Sequence, residues 1–369
     1  MSIRTLYFIG QCLSLDEHLT FRDEIIVQFT DENYNWNQFI WTCSNHLVLQ
    51  VIYLKFLKHD LLSYVPDVLA QHLEEIYMLN RTRNGQILLQ VKEITATLDK
   101  SGISPIFMKG TGNLIDGIYD DIGERIIGDI DFLVPEKDLL SAINLFKKEG
   151  YINSFPAYKP YNQKQHHHYP QLWKEDVAAD IEIHWLPVSI KNATGFGAEF
   201  VQKNKKAVID LPGSYVPCDK HKIIQNFVHS QLTNSGNRLG VVSLRDIYDV
   251  YCFSKRTDLI AVLPLIHYRR EAEAYFTIAQ KLLGLPISVM VSLSTTFFCW
   301  KHDMNLKSRL FFSLYRLPWV LSRILFHGYP HQIKEAFIFK GARQSLLRRL
   351  GNRQWYIQHF RLIRKNIAG

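Results

Sequence analysis

Two acidic residues, Asp129 and Asp131, lie two positions apart in the apolar segment 125–134. Side chains alternate between the faces of a strand, so a strand here would place both carboxylates on one face, about 6.6 Å apart at the backbone. Burying two like charges side by side is costly without a cation. Pairs of divalent metal ions are common in enzymes that catalyse displacement at phosphorus. The spacing therefore predicts a metal site that serves phosphoryl chemistry.

Two further segments carry residues suited to the same chemistry. Residues 107–113 are an apolar strand end that runs into a glycine-containing turn, where small side chains let backbone amides approach phosphate oxygens. Residues 177–185 alternate apolar and polar side chains, as expected of a strand. The alternation places three polar residues on one face: Asp180, Glu182 and His184. A glycine turn and a third acid favour phosphoryl transfer over three unrelated surface acids.

These motifs resemble those of the nucleotidyltransferases of the DNA polymerase β superfamily, whose hallmark is a Gly-Ser turn followed by Asp-x-Asp and a later acid. More closely, the chain resembles the bacterial group of uncharacterised nucleotidyltransferase-fold proteins that often accompany peptide or surface-polysaccharide biosynthesis. The resemblance covers residues 35–260 and is strongest over residues 105–186. The matching residues are Lys109, Gly110, Tyr119, Arg125, Gly128, Asp129, Ile130, Asp131, Gly150, Tyr151, the segments 166–168 and 182–185 and, more weakly, His229 and the segment 244–249.

The resemblance implies metal-dependent transfer of a nucleoside monophosphate from a nucleoside triphosphate, with ATP expected, to a hydroxyl group, with release of pyrophosphate. Asp129 and Asp131 would bind Mg²⁺ or Mn²⁺ ions that bridge the triphosphate. Glu182 would share the second metal and help to activate the acceptor hydroxyl. These three acids are the predicted catalytic residues and metal ligands. Asp180 lies on the same predicted face and competes with Glu182, which the resemblance favours.

The resemblance also implies phosphate contacts from four residues around the glycine turn. Gly110 and Thr111 would hold the β and γ phosphates through their backbone. Thr111 stands where serine is usual in the family and keeps the hydroxyl group. Lys109 and Arg125 would add positive charge. The alternatives are that Lys109 is an exposed strand end and that Arg125 forms a salt bridge that fixes the acidic strand.

Several histidines admit a structural or a functional interpretation. The run 166–168 cannot place three consecutive side chains on one ion, so a polar strand at the border of the cleft is favoured over a zinc site. His184 would orient Glu182 or be a buried, satisfied histidine. His229 is expected to be structural. The segment 244–249 is expected to cap and pair helices.

Composition agrees with a cytoplasmic enzyme. The chain has 369 residues, 47% of them hydrophobic, which is enough for two or three domains. Five cysteines without Cys-x-x-Cys spacing are expected to be reduced thiols. The N-terminus has no pattern of a secretory signal. The net charge of +8 suggests nucleic acid, but the excess is concentrated in the tail and no RNA-binding or zinc-finger signature occurs, so a nucleic-acid partner is not supported.

The patterning predicts an α+β fold: a small mixed β-sheet nucleotidyltransferase core backed by helices, with helical N-terminal and C-terminal regions. The predicted regions are 1–100, 101–215 and 216–369. Helical periodicity predicts a long amphipathic helix over 68–98 and a helix over 139–148. Residues 282–300 lack charge, but an early glycine and proline favour a turn and a buried helix over a transmembrane span.

The C-terminal tail is basic and follows the apolar segment 317–326. This combination suits an anionic membrane surface or a protein partner, with a solvated helical face as the alternative. The basic residues are Arg343, Arg348, Arg349, Arg353, Arg361, Arg364 and Lys365.

The acceptor hydroxyl belongs to an unknown small molecule, peptide or saccharide. Three other functions stay open: a kinase-like phosphotransferase, a toxin-like enzyme that modifies protein or tRNA, and a non-catalytic nucleotide-binding scaffold.

Overall fold

The computed structural model describes residues 2–154 and 161–368. The N-terminal region, predicted to be helical over residues 1–100, is helical in the structure. Residues 2–34 form its first two helices. The helices are α1 Ile3–Leu13, α2 Phe21–Phe29, α3 Trp36–Asn45, α4 Leu49–Lys58 and α5 Asp67–Asp99.

Helix α5 is the long helix predicted over 68–98. It begins after Pro66, whose ring cannot continue a helix toward its N-terminus, and Asp67 complements the positive end of the helix dipole. Its buried residues are Leu73, Asn80, Asn84, Ile87, Gln90, Val91, Ile94, Thr95 and Leu98. Three side-chain amides, those of Asn80, Asn84 and Gln90, therefore lie among the apolar residues of this buried stripe.

The central region contains the sheet. Its strands are β1 Ile106–Phe107, β2 Ile130–Leu133, β3 Ile152–Asn153, β4 Leu172–Trp173, β5 Ile181–His184, β6 Lys205–Ala207 and β7 Tyr215–Pro217. Its helices are α6 Lys109–Ile115, α7 Leu139–Lys148 and α8 Ala198–Lys203. Helix α7 confirms the prediction for 139–148, and helix α6 begins directly at the glycine turn, at Lys109.

The strands that the structure describes form one mixed sheet in the order β3-β4-β5-β2-β1-β7-β6. Strand β2 is central, parallel to β5 and antiparallel to β1. Ile130 and Phe132 are completely buried, as the alternation predicted. The predicted α+β class is confirmed.

The C-terminal region is helical, as predicted beyond residue 219. Its α-helices are α9 Asp219–Phe227, α10 Gly236–Leu239, α11 Leu244–Ser254, α12 Arg269–Leu283, α13 Leu293–Lys307, α14 Arg309–Ser322, α15 Tyr329–Ile338, α16 Lys340–Leu350 and α17 Arg353–Ala368. Two π-helices interrupt the series, at Val228–Thr233 and Arg323–Gly328. Met1, Gly369 and the side chain of Lys365 lie outside the described residues.

The uncharged segment 282–300 differs from its predicted form. Helix α12 ends at Leu283, Gly284 adopts a left-handed conformation (φ 66°), and helix α13 starts only at Leu293. Phe297 and Trp300 are about half exposed, so α13 is only partly buried. No helix within the described residues has the length and apolarity needed to cross a membrane.

The three predicted regions share a hydrophobic core. The buried apolar residues form a cluster that continues from Leu6 in α1 to Leu306 in α13. Strand β7 crosses the predicted boundary at residue 215 and pairs with β1. Side chains from all three regions can therefore meet around the central strands.

Candidate active site

Asp131 on β2 lies in register with Glu182 on the parallel strand β5. Registered residues of neighbouring strands point to the same face, and the strands are about 4.8 Å apart. His184 lies two residues farther along β5 and therefore on that face as well. Within the described part of the chain, Asp131, Glu182 and His184 are the residues whose potential metal-ligand atoms all lie within 4.8 Å of one another.

Asp131 is 2% exposed and is compensated by two neighbours. His184 Nε2 lies 2.8 Å from Asp131 Oδ1, and Lys109 Nζ donates to the same oxygen at 2.6 Å. Burial raises the pKa of Asp131, but the charge of Lys109 and the hydrogen bond to His184 outweigh burial and lower it below its usual range. Burial lowers the pKa of His184, but the contacts with Asp131 and Glu182 raise it overall. Asp131 is therefore ionised.

Lys109 places its ammonium group between two of the predicted catalytic acids. Besides its bond to Asp131, Nζ lies 3.9 Å from Glu182 Oε2. Its backbone is left-handed, with φ of 51°, a conformation that residues with a side chain rarely adopt and that clusters at functional sites. The alternative of an exposed strand end is therefore wrong. A cation already lies where carboxylates converge.

Asp129 lies directly before β2 and lines a cleft with Asp131, Lys109 and Gly110. Burial and the charge of Asp131 raise the pKa of Asp129 to about 7, against the opposing effect of Lys109. The Asp129 carbonyl accepts a hydrogen bond of 3.1 Å from the Thr111 hydroxyl. The Thr111 hydroxyl therefore holds the acidic segment in place. Thr111 is the residue that stands where the resemblance leads us to expect serine.

This group of residues fits a divalent cation. Carboxylate oxygens are the ligands that Mg²⁺ and Mn²⁺ prefer. Burial is the largest cause of the raised pKa of Asp129 and repulsion from Asp131 is the next, and a bound cation would relieve that repulsion. Asp180, the competitor of Glu182, instead accepts a hydrogen bond of 2.8 Å from the Ser154 hydroxyl. Asp180 and Asp129 are both outside the group of closely spaced ligand atoms, but Asp129 lines the cleft with Asp131 and Asp180 does not.

The opposite wall of the cleft comes from the C-terminal helices. The lining residues there are Lys222, Gln225, Asn226, His229, Arg245, Asp246 and Asp249. His229 lies in the first π-helix, whose wider turn is frequent at functional sites. Burial and the charge of Lys109 lower the pKa of His229 to about 4. His229, expected to be structural, thus lines the cleft together with the predicted site residues.

Arg125 also lines the cleft but is engaged in a buried ion pair. Its Nε donates to both carboxylate oxygens of Asp249, at 3.0 and 3.2 Å. Tyr119 donates its hydroxyl to the same carboxylate at 2.8 Å. Burial lowers the pKa of Arg125, but Asp249 raises it overall. This geometry matches the salt-bridge alternative, in which Arg125 fixes the segment that leads to the acids.

The histidine run 166–168 borders the site. His168 forms an isolated bridge with His184, and the two ring centroids are 5.0 Å apart. The His167 carbonyl accepts hydrogen bonds from the backbone of residues 185 and 186. Burial and the charge of His184 lower the pKa of His167 to about 3. The sequence predicted a polar strand at the border of the cleft: the run does lie beside the site, but residues 166–168 form no strand and only His168 makes a β-bridge.

Helix α5 supplies positioning residues that sequence analysis missed. Asn80 donates to the carbonyls of Gly123 and Arg125, and Asn84 donates to that of Arg125 at 2.8 Å. Gln90 exchanges two hydrogen bonds with the backbone of Ala179, just before β5. These bonds satisfy buried carbonyls of the segments that carry the acids. The available signal was the amide side chains within the buried stripe of an amphipathic helix.

Arg83 adds a charged contact on the same helix. Its guanidinium donates to the carbonyls of Ile127, Gly128 and Ala178. It therefore ties the segment before β2 to the segment before β5. The two acidic strands are held in register at their beginnings by one side chain.

A comparison with protein families gives one match. The model of a family described as uncharacterised nucleotidyltransferase matches residues 32–284, more than half of the chain. The match includes helix α5, the sheet and the helices of the opposite wall. No curated protein and no solved structure matches the chain.

Proposed function

The chain belongs to this family of uncharacterised nucleotidyltransferases, and we propose that it transfers a nucleoside monophosphate from a nucleoside triphosphate to a hydroxyl group, releasing pyrophosphate. The proposed metal is Mg²⁺ or Mn²⁺ and the proposed nucleotide is ATP. The observation that carries the proposal is the registered pair Asp131 and Glu182, of which Asp131 lines the cleft together with Asp129. Family membership supports the transferase class, and the acids support its metal dependence.

The three acids have distinct proposed roles. Asp129 and Asp131 would hold a metal ion for the triphosphate, and Glu182 would share a second metal and help to activate the acceptor hydroxyl. A bound divalent ion would neutralise charge that develops on the phosphoryl oxygens. His184 positions Asp131 through its 2.8 Å contact, as partners of metal ligands commonly do. Asp180 has no proposed role in metal binding.

The phosphates are proposed to lie at the start of helix α6. The first turn of a helix leaves backbone N–H groups without acceptors in the helix, and Gly110 and Thr111 lie in that turn. A side chain at Gly112 would clash with the Phe107 carbonyl, with its Cβ only 2.4 Å from the oxygen. Glycine there lets α6 pack closely on β1. Lys109 would move from Asp131 toward the phosphates when the metal binds.

The wall from the C-terminal helices is proposed to contact the rest of the nucleotide. Arg245 and His229 face the cleft from two different elements, and Asn226 offers an amide beside them. The acceptor remains a small molecule, peptide or saccharide. The five cysteines are free and four are buried, which supports a reducing, cytoplasmic compartment.

Calorimetric titration tests the nucleotide site. Non-hydrolysable ATP, GTP, CTP and UTP analogues are titrated with and without Mg²⁺ into wild type and the Asp129→Asn, Asp131→Asn double variant. We expect Mg²⁺-dependent binding that the double variant loses. The matched control is Asp23→Asn with Asp31→Asn. It removes two exposed acids, in helix α2 and just after it, and should bind like wild type.

Two outcomes would change the assignment. Binding that does not require Mg²⁺ and survives in the double variant would contradict the metal role of the acids. It would favour a scaffold in which the Lys109 ammonium permanently replaces the metal. Transfer of a terminal phosphate from labelled triphosphate, detected by product analysis, would instead assign a phosphotransferase.

A further inference from the structure

Positive charge is concentrated in the last sixth of the chain. Residues 304–369 contain 13 lysine and arginine residues and a single acidic residue, Glu335. This segment therefore carries a net charge of +12, whereas the remaining 303 residues carry −4. Within the described residues the segment contains the last turn of α13, helices α14 to α17 and the second π-helix, and we call the solvent-facing side of this segment the C-terminal surface.

The single acid does not reduce the positive charge of this surface. Glu335 is 6% exposed, and its carboxylate pairs with His331 at 3.0 Å. Several arginines are exposed, among them Arg348, Arg349 and Arg353. The C-terminal surface consequently presents cations to solvent without an exposed carboxylate in the described part of the segment.

Large apolar side chains are exposed between these cations. Along α14 and the second π-helix, four leucines recur at intervals of four, seven and four residues, which places them on one helical face. They are Leu310, Leu314, Leu321 and Leu325, exposed by 69, 58, 41 and 52%. Phe326 and Phe337 are exposed by 73 and 81%. Such a concentration of exposed apolar groups in one segment is a mark of an interaction surface.

The last two helices repeat the combination on single faces. In α16 the exposed residues 340, 343, 347 and 350 are Lys, Arg, Leu and Leu. In α17 the exposed residues 353, 357, 360 and 364 are Arg, Ile, Phe and Arg. Spacings of three and four residues align each set on one side of its helix. Helix α14 packs against α17 and α15 against α16, and contacts between α16 and α17 join the two pairs into one unit.

Cations and apolar side chains that share a helical face, as in α16 and α17, match the chemistry of an anionic bilayer surface. Acidic headgroups attract lysine and arginine side chains. Phenylalanine and leucine gain free energy by entering the boundary between headgroups and acyl chains. The phosphates of a nucleic acid would also bind the cations, but the exposed leucines would stay in water. We propose that the C-terminal surface docks the protein on a membrane that contains acidic phospholipids.

Vesicle co-sedimentation of the full chain tests this docking. Vesicles of phosphatidylcholine alone are compared with vesicles that contain about one third phosphatidylglycerol. We expect at least tenfold tighter binding to the anionic vesicles and a marked loss of binding at high salt, because salt screens the headgroup attraction. The proposal does not depend on the proposed catalytic function.

Two pairs of variants separate the contributions. Phe326→Ser with Phe337→Ser should weaken vesicle binding at least fivefold, and Arg348→Gln, Arg349→Gln, Arg353→Gln should do the same. The apolar control is Ile209→Ser with Leu293→Ser, at residues exposed by 93 and 91% outside the C-terminal surface. The charge control is Lys92→Gln, Lys100→Gln, Lys148→Gln, at exposed residues of the other regions. Both controls should bind like wild type.

Three results would overturn the proposal. Equal binding to neutral and anionic vesicles would exclude headgroup recognition. If the phenylalanine variant binds anionic vesicles as tightly as wild type does, the protein adsorbs by charge alone and the apolar contact is excluded. Binding to RNA or to an acidic protein, without binding to vesicles, would assign the surface to that partner. Unchanged melting temperatures of the variants establish that the fold is intact.

Discussion

Two clusters of buried charged side chains in this protein differ in their proportion of carboxylates to cations. In the first, Asp16 meets Lys55 at 2.5 Å, His59 at 2.8 Å, Lys58 at 3.1 Å and Lys255 at 3.8 Å. Burial raises the pKa of Asp16, but these partners outweigh burial and lower it below its usual range. One carboxylate has a surplus of cationic neighbours, and the cluster joins the N-terminal helices to the end of α11.

In the second cluster the acids are in surplus. Asp131 and Glu182 share Lys109 and His184, and Asp129 lies beside them with its pKa raised to about 7. The Asp16 carboxylate is thus fully paired with cations, whereas the acids at the cleft are crowded together. Crowding of like charges lowers stability in exchange for affinity toward a cation.

The largest expected effect is on stability at the Asp16 cluster. Asp16→Asn leaves several cationic groups without their buried partner, so we expect the free energy of unfolding to fall by about 4 kcal/mol. Chemical denaturation measures the loss, which should be equal with and without Mg²⁺. The exposed Asp23→Asn variant serves as the control. If Mg²⁺ restored the lost stability, the Asp16 cluster would also respond to metal and the two clusters would not differ in this respect.

The next effect concerns metal affinity at the cleft. Asp131→Asn and Glu182→Gln should each weaken Mn²⁺ binding about 100-fold, or ~3 kcal/mol, because each removes a ligand charge. Asp180→Asn should change it less than about threefold, because Asp180 bonds Ser154 instead. Titration with Mn²⁺ measures all three. If Asp180→Asn is the more damaging change, the third ligand is misassigned.

The pH dependence of metal binding gives a smaller effect. With a pKa of about 7, Asp129 is mostly protonated at pH 6 and mostly ionised at pH 8, and a metal requires the ionised form. Mn²⁺ affinity should therefore fall about tenfold from pH 8 to pH 6. The Asp129→Asn variant should show a flatter profile. An equally steep profile in that variant would assign the proton to another group.

The smallest effect is a gain in stability. Between about pH 4 and pH 7 the raised pKa leaves Asp129 protonated in the folded protein, whereas the same group in the unfolded chain is ionised. The free energy of unfolding therefore falls as pH rises through this range. Asp129→Asn removes the repulsion. Without metal at pH 8 we expect a gain of about 1 kcal/mol after allowance for solvent screening, and no gain below pH 4. Thermal unfolding in a chelator measures it, and a loss at pH 8 would contradict the crowding.

Local pattern was sufficient to predict the sheet strands near the acids and the helices α5 and α7. Alternation and helical periodicity depend on neighbouring residues, which the sequence displays directly. The registered pairing of Asp131 with Glu182 also fits the alternation on each strand. The role of Glu182 as the third ligand stays a prediction.

Long-range contacts were the part that pattern could not predict. The bonds of Asn80 and Asn84 reach residues some 40 positions later, and the Arg125 partner, Asp249, is 124 positions away. The location of Lys109 between the acids depends on a single left-handed residue, which no periodicity indicates. Tertiary packing decides these contacts.

The amides of helix α5 have an evolutionary consequence. Asn80, Asn84 and Gln90 hold the backbone of the acidic segments although they belong to the predicted N-terminal region. Natural recombination that joined residues 101–215 to an unrelated leader would discard these donors and leave buried carbonyls unpaired. The helix and the acids should therefore be inherited together, and relatives should preserve the asparagines as strictly as the acids.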